Sequence, residues 1–159
     1  MPEAPPRRAV WLLDVDGCLV DSLTGTSLRP LAREVLTRLH LAGHIIVVWS
    51  AGGATHAERV VTPHGVADLV GAFYDKRERD DAGRWRTAHL AAEHQPDWCV
   101  DDRPEETPTG VASIGVSPYL APDLHDRGWQ RVLDALDATS PPAAPELGAP
   151  PATTVTLRP

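Results

Sequence analysis

The sequence predicts an α/β protein built on an open, doubly wound parallel sheet. Three observations carry that prediction. Apolar runs of strand length alternate with helical patterns from residue 9 to residue 138. The first two runs, "AVWLLDV" (9–15) and "HIIVVWS" (44–50), are continuous rather than alternating, as strands covered on both faces are. Acids and hydroxyl residues gather where the runs end.

In chain order, residues 9–15 form the first strand. "LAREVLTRLHLAG" (31–43) sets Leu31, Val35, Leu36 and Leu39 on one helical stripe, with Pro30 suited to the first turn and Gly43 to the C-terminal cap. Residues 44–50 form the second strand. Thr55 and Glu58 have capping-box spacing for a helix that ends near Pro63. "LVGAFY" (69–74) is a weaker third strand, and "RWRTAHLAAEH" (84–94) the next helix. "DWCVDD" (97–102) and "VASIGVS" (111–117) are short strands. "DRGWQRVLDALDA" (126–138) closes the domain as a helix with Trp129, Val132, Leu133 and Leu136 on one face. The Pro-rich residues 1–8 and the Pro/Ala/Thr-rich residues 139–159 read as disordered ends of this single domain, 9–138.

Composition narrows the function. A formal charge of −7 argues against a general nucleic-acid or membrane-surface binder, though not against a local basic site. No run approaches the roughly 18 apolar residues of a membrane span, and "MPEAPPRRA" lacks a hydrophobic signal core. Cys18 and Cys99 make no metal or disulfide spacing, so free thiols in a reducing cytoplasm are expected. Of the 15 basic residues other than histidine, Lys76 is the one lysine.

Asp14, Asp16 and Asp21 lie in or just after the first apolar run, where an unpaired carboxylate would be expensive to bury. Asp14 and Asp16, Ser50, and Asp101 with Asp102 all fall at the carboxyl ends of predicted strands. In an open α/β sheet those ends converge on the ligand crevice. Carboxylates gathered there repel unless a cation sits among them, and hard oxygen ligands joined by a substrate phosphate describe a Mg²⁺ site. A lysine and a hydroxyl would grip the remaining phosphate oxygens. Taken singly, each element has an ordinary reading: a turn with solvated acids at 14–17, a helix cap at Ser50, a solvated loop at 101–106. The joint placement favours a site. The histidines, His56 among them, are scattered and read as surface or packing residues. The five tryptophans read as core, and Cys18 as a small side chain beside the site.

With "LLDVDGCLVDS" (12–22), "IIVVWSAGG" (45–53), Lys76 and "WCVDDRPEE" (98–106) in this order, the chain resembles the haloacid dehalogenase superfamily of phosphohydrolases. The likeness spans about residues 9–137 and departs at Cys18, where that superfamily usually has threonine. It implies a Rossmann-like sheet with no cap domain, since only a short flap and one helix fit between Gly17 and Ser50. The resemblance makes Asp14 the nucleophile that forms an aspartyl-phosphate, and Asp16 the general acid and base. It makes Ser50, Ala51, Gly52, Lys76 and Arg103 the phosphate-binding residues. Asp14, the Asp16 carbonyl, Asp102 and Asp101 would be the Mg²⁺ ligands or their support. Arg86, at the start of the helix predicted over 84–94, competes with Lys76 for the cation role; the rarity of lysine in this chain favours Lys76. An open site implies a large phosphorylated substrate, such as a nucleic-acid end, or a lid supplied by another subunit. The expected activity is a Mg²⁺-dependent phosphomonoesterase. The alternatives are a polynucleotide 3′-end phosphatase and a non-catalytic binding module on the same fold. A phosphorelay receiver is set aside, because no phosphoacceptor aspartate ends a strand between residues 16 and 50.

Overall fold

The computed structural model describes residues 8–139; the ends predicted to be disordered lie outside them, apart from Arg8 and Thr139. Five strands form one sheet, all parallel, in the order β3-β2-β1-β4-β5. They are β1 (Val10–Asp14), β2 (Ile45–Ser50), β3 (Ala72–Asp75), β4 (Trp98–Asp101) and β5 (Ala112–Gly115). Three helices accompany them: α1 (Ala32–Leu41), α2 (Ala54–Val61) and α3 (Gln130–Thr139). The predicted open parallel α/β sheet is therefore present, and among the described residues no connection carries a further domain. None of the described helices is long and apolar enough to cross a membrane.

The strand order decides where a site can form. The chain builds β1, β2 and β3 outward in one direction, then returns to place β4 on the other side of β1. The order reverses between β1 and β4, and a crevice opens at the carboxyl ends of the strands flanking such a switch point.

The two faces of the sheet are covered differently. One carries Trp11, Leu13, Ile46, Val48, Val100 and Ile114, packed against apolar residues of all three helices. The other carries Val10, Leu12, Val47, Trp49 and Cys99, covered by Leu90, Trp85 and Val111 from irregular chain. Alternate β1 residues thus enter opposite cores, which is why the whole strand reads as one apolar run.

Local signals mostly end the helices where expected. Gly43, at φ 78°, follows α1, donating to the His40 carbonyl while the His44 N–H reaches Leu39 O; this Schellman pattern satisfies two otherwise free carbonyls. α2 stops at Val61, and Pro63 opens a 3₁₀ turn. The capping box does not form: Gly53 is the N-cap, and Thr55 already lies inside the first turn. α3 begins at Gln130 rather than near Asp126, because Asp126 instead accepts the Gly128 N–H and the buried Arg29 guanidinium.

One predicted helix is absent. Residues 84–94 contain only a 3₁₀ turn, Ala92–His94. Trp85 bridges antiparallel to Arg79, its backbone N–H donates to Glu106 O, and that of Arg86 donates to Glu78 O. Asp80 holds the tip between them by accepting the N–H groups of Ala82 and Arg84. These pairings give the backbone a hairpin-like alternative to helix, and burying Trp85 on the sheet favours it.

Candidate metal centre and active-site cavity

Strand β1 delivers Asp14 and strand β4 delivers Asp101 to the two sides of the switch point, and Asp102 follows immediately. One carboxylate oxygen from each of these three acids lies within 4.8 Å of the others. Lys76, just past the end of β3, closes the group: its Nζ is 2.8 Å from Asp14 Oδ1 and 3.1 Å from Asp101 Oδ2. The lysine backbone N–H donates to Ser50 O, so the neighbouring strand end holds it in register.

Electrostatics follow from this crowding. Burial, then repulsion from Asp101, pushes the Asp14 carboxyl up to about 8, with Lys76 pulling against both. Asp101 is raised for the same leading reason, burial. Burial opposes the charge on Lys76, but Asp14 and Asp101 outweigh it and hold the ammonium above its usual range. With Asp14 ionised, three carboxylates and one ammonium carry two net negative charges, which a divalent cation would match. Hard oxygen donors of this kind suit Mg²⁺.

The turn after β1 is shaped around the same group. Gly17 adopts φ 75°, and a Cβ there would lie 3.1 Å from Asp102 Oδ2, so glycine meets both a conformational and a steric demand. Asp21 is fully buried and organises the following loop by accepting from the Thr24 N–H and hydroxyl and the Ser27 N–H. Burial raises its carboxyl, yet these donors prevail and hold it below the usual range. Cys18 lies buried beneath, its thiol against Val100 O and pushed well up first by burial and then by the nearby acids, which makes it unreactive.

Asp16 stands apart from the acid trio. Its side chain, 43% exposed, accepts from the Ser50 hydroxyl at 3.1 Å and contacts His56 Nε2 at 3.0 Å. Ser50 Oγ in turn accepts the Gly52 N–H.

A cavity of about 300 Å³ opens over these groups. Asp14, Asp16, Lys76, Asp101 and Asp102 line it, together with Ala51, Arg103 and Leu120. The hairpin supplies Arg79 and Trp85. Arg79 stacks 4.1 Å over the Trp85 ring and pairs with Glu106, which also accepts the Trp85 indole N–H and approaches Arg103 at 3.6 Å.

The sequence-predicted residues therefore divide. Asp14, Asp16, Ala51, Lys76, Asp101, Asp102 and Arg103 share one cavity. Ser50 and Gly52 lie beside it, their polar groups engaged with Asp16 and with each other. Arg86 is excluded: it hydrogen-bonds Arg79 O, is exposed and does not line the cavity. Reading along the chain missed His56, Trp85 and Glu106; Arg79 lies in "KRERDDAGRWR" (76–86), a run that reads either as positive charge beside the crevice or as a mixed-charge surface loop. The one usable signal lies in "SAGGATH", where His56 falls in the first turn of a helix starting directly after a strand end. No family model matches this chain, and comparison with curated proteins finds no match.

Proposed function

We propose that the chain is a Mg²⁺-dependent phosphomonoesterase of the haloacid dehalogenase kind. The observation that carries this reading is the buried Lys76 ammonium held between Asp14 and Asp101, with Asp102 alongside, at the switch point of the sheet. A Mg²⁺ ion held by Asp14, Asp101 and Asp102 would supply the charge that lets a dianionic phosphate approach an anionic nucleophile. Lys76 orients Asp14 and balances its charge, leaving one carboxylate oxygen to attack phosphorus. Asp16, at the mouth, passes its proton to the leaving oxygen, then takes one from the water that hydrolyses the aspartyl-phosphate. The buried free thiols Cys18 and Cys99 suit a reducing, cytoplasmic setting.

Hydrolysis of p-nitrophenyl phosphate with and without Mg²⁺ tests the reading. Turnover that requires Mg²⁺, together with acid-labile phosphate trapped on the wild type but not on Asp14→Asn, is the expected result. Full activity in Asp14→Asn overturns the mechanism. Absence of turnover on any phosphate ester favours a non-catalytic binding module.

The cavity mouth favours one refinement. Arg79 and Arg103 flank Trp85 there, with Glu106 as their shared acid. Two cations at the rim suit a leaving group that bears further negative charge, as a 3′-phosphorylated nucleic-acid end does.

A further inference from the structure

We infer that His56 is a positioning residue that fixes the Asp16 carboxylate, through a hydrogen-bond chain running Arg59–His56–Asp16. This inference rests on the phosphatase reading above. His56 Nε2 lies 3.0 Å from both carboxylate oxygens of Asp16. On the opposite edge of the ring, Arg59 Nη2 lies 3.3 Å from Nδ1. A guanidinium has donors and no acceptor, so Nδ1 must accept. The proton of the neutral imidazole then sits on Nε2, and His56 donates to Asp16. Arg59 thereby selects the tautomer, as the partner on one ring nitrogen does for the other.

The backbone is cut to fit this ring. A Cβ at Gly52 would lie 2.8 Å from His56 Cδ2, 3.1 Å from Cγ and 3.3 Å from Ser50 Oγ. Only a residue without a side chain lets His56 and Ser50 reach Asp16 together. The Ser50 hydroxyl donates to Oδ2 from a second direction, so two donors already surround the carboxylate.

The consequence falls on the proton-transfer step. As Asp14 bonds to phosphorus and the P–O ester bond breaks, the proton on Asp16 moves to the leaving oxygen. The carboxylate so formed meets the His56 N–H and the Ser50 O–H already in place, with no reorganisation at that moment. In the second half-reaction the same carboxylate takes a proton from water as the water oxygen attacks phosphorus. Phosphate leaves, and Asp14 is restored as carboxylate. A leaving group that departs as a stable anion needs no such proton. His56 therefore matters most for alkyl esters.

Steady-state kinetics on glycerol phosphate and p-nitrophenyl phosphate test this, with Asp16→Asn as reference. His56→Ala is expected to lower kcat for glycerol phosphate roughly 10- to 100-fold, less than the ~10²–10⁴-fold of an acid–base group itself, because His56 acts through Asp16. KM should be unchanged and the aryl ester affected far less. His56→Gln, which keeps a donor, should recover most of the loss. Equal losses on both esters, or an effect on KM alone, overturn the positioning role. Imidazole ¹⁵N NMR tests the chain independently of activity. The wild type should show His56 as the Nε2–H tautomer, and Arg59→Met a mixture; an Nδ1–H tautomer in the wild type overturns the inference. Wild-type protein that shows the expected tautomer yet hydrolyses neither these esters nor a 3′-phosphorylated oligonucleotide overturns the phosphatase reading, and the positioning role of His56 with it.

Discussion

Lys76 Nζ lies 2.8 Å from Asp14 Oδ1, and the lysine side chain is only 5% exposed. Its ammonium also touches Asp101 and sits 5.2 and 5.6 Å from the ring centres of Trp49 and Trp85. Two carboxylates and two indole rings thus surround a compact point charge. A chain with 15 basic residues other than histidine places its one lysine at this position.

Lys76→Ala is expected to cost about 3–4 kcal/mol of transition-state stabilisation, the scale of losing one key charge-stabilising group. It should also destabilise the metal-free fold by roughly 3–5 kcal/mol, because buried Asp101 would lose its counter-ion and Asp14 its hydrogen-bonding partner. Arg86→Ala, outside the cavity lining, should stay within about 0.5 kcal/mol of wild type in both respects. Kinetics and urea melts of the two variants check this; the reverse ranking would make Arg86 the working cation.

Mg²⁺ binding should release protons near neutral pH. Asp14 is raised from 3.8 to about 8 in the metal-free chain, so at pH 7 the folded protein prefers it protonated, and a cation must displace that proton. For the same reason Asp14 makes metal-free stability fall as pH rises from about 4 to about 8, since the unfolded state ionises first. Calorimetry of Mg²⁺ binding in buffers of different ionisation enthalpy measures the release. It should fade above pH 8, and a pH-independent proton count of zero would contradict it.

Asp21 has the opposite sign. Its donors hold the folded carboxyl below 3.8, so its contribution is complete above that value and is lost as pH falls through the lower, folded value. Asp21→Ala should cost about 1–3 kcal/mol at pH 7 by leaving the loop N–H groups of Thr24 and Ser27 without their acceptor. Its stability should also change less with pH across the acid range than that of wild type. Urea melts from pH 3 to pH 7 decide the point.

Arg103 is 65% exposed, its guanidinium 3.6 Å from Glu106 and open to solvent at the rim. Arg103→Ala should raise KM for a 3′-phosphorylated oligonucleotide several-fold and flatten its salt dependence, while p-nitrophenyl phosphate hydrolysis stays near wild type. Equal KM changes for both substrates would remove the second anion from the recognition scheme.

The sequence by itself determined the layering. Continuous apolar runs ending in Asp14, Ser50 and Asp101 specify buried parallel strands, because both faces of such strands must be covered and their polar ends must meet elsewhere. Asp14, Lys76, Asp101 and Asp102 were legible on the same grounds. Tertiary structure decided the rest. The stretch 84–94 has a helical pattern, but pairing of Trp85 with Arg79 and Glu106 outweighs that local preference and carries two side chains into the cavity wall. The rarity of lysine favours Lys76 over Arg86, and the backbone pairings of Lys76 with Ser50 and of Arg86 with Glu78 set one in the cavity and the other outside its lining. His56 meets Asp16 across 40 residues only because α2 begins beside the end of β1, at a glycine with no Cβ to block the ring. Pattern along a chain records which face a residue needs; contacts between distant segments depend on how the strands are ordered, and no local period encodes that.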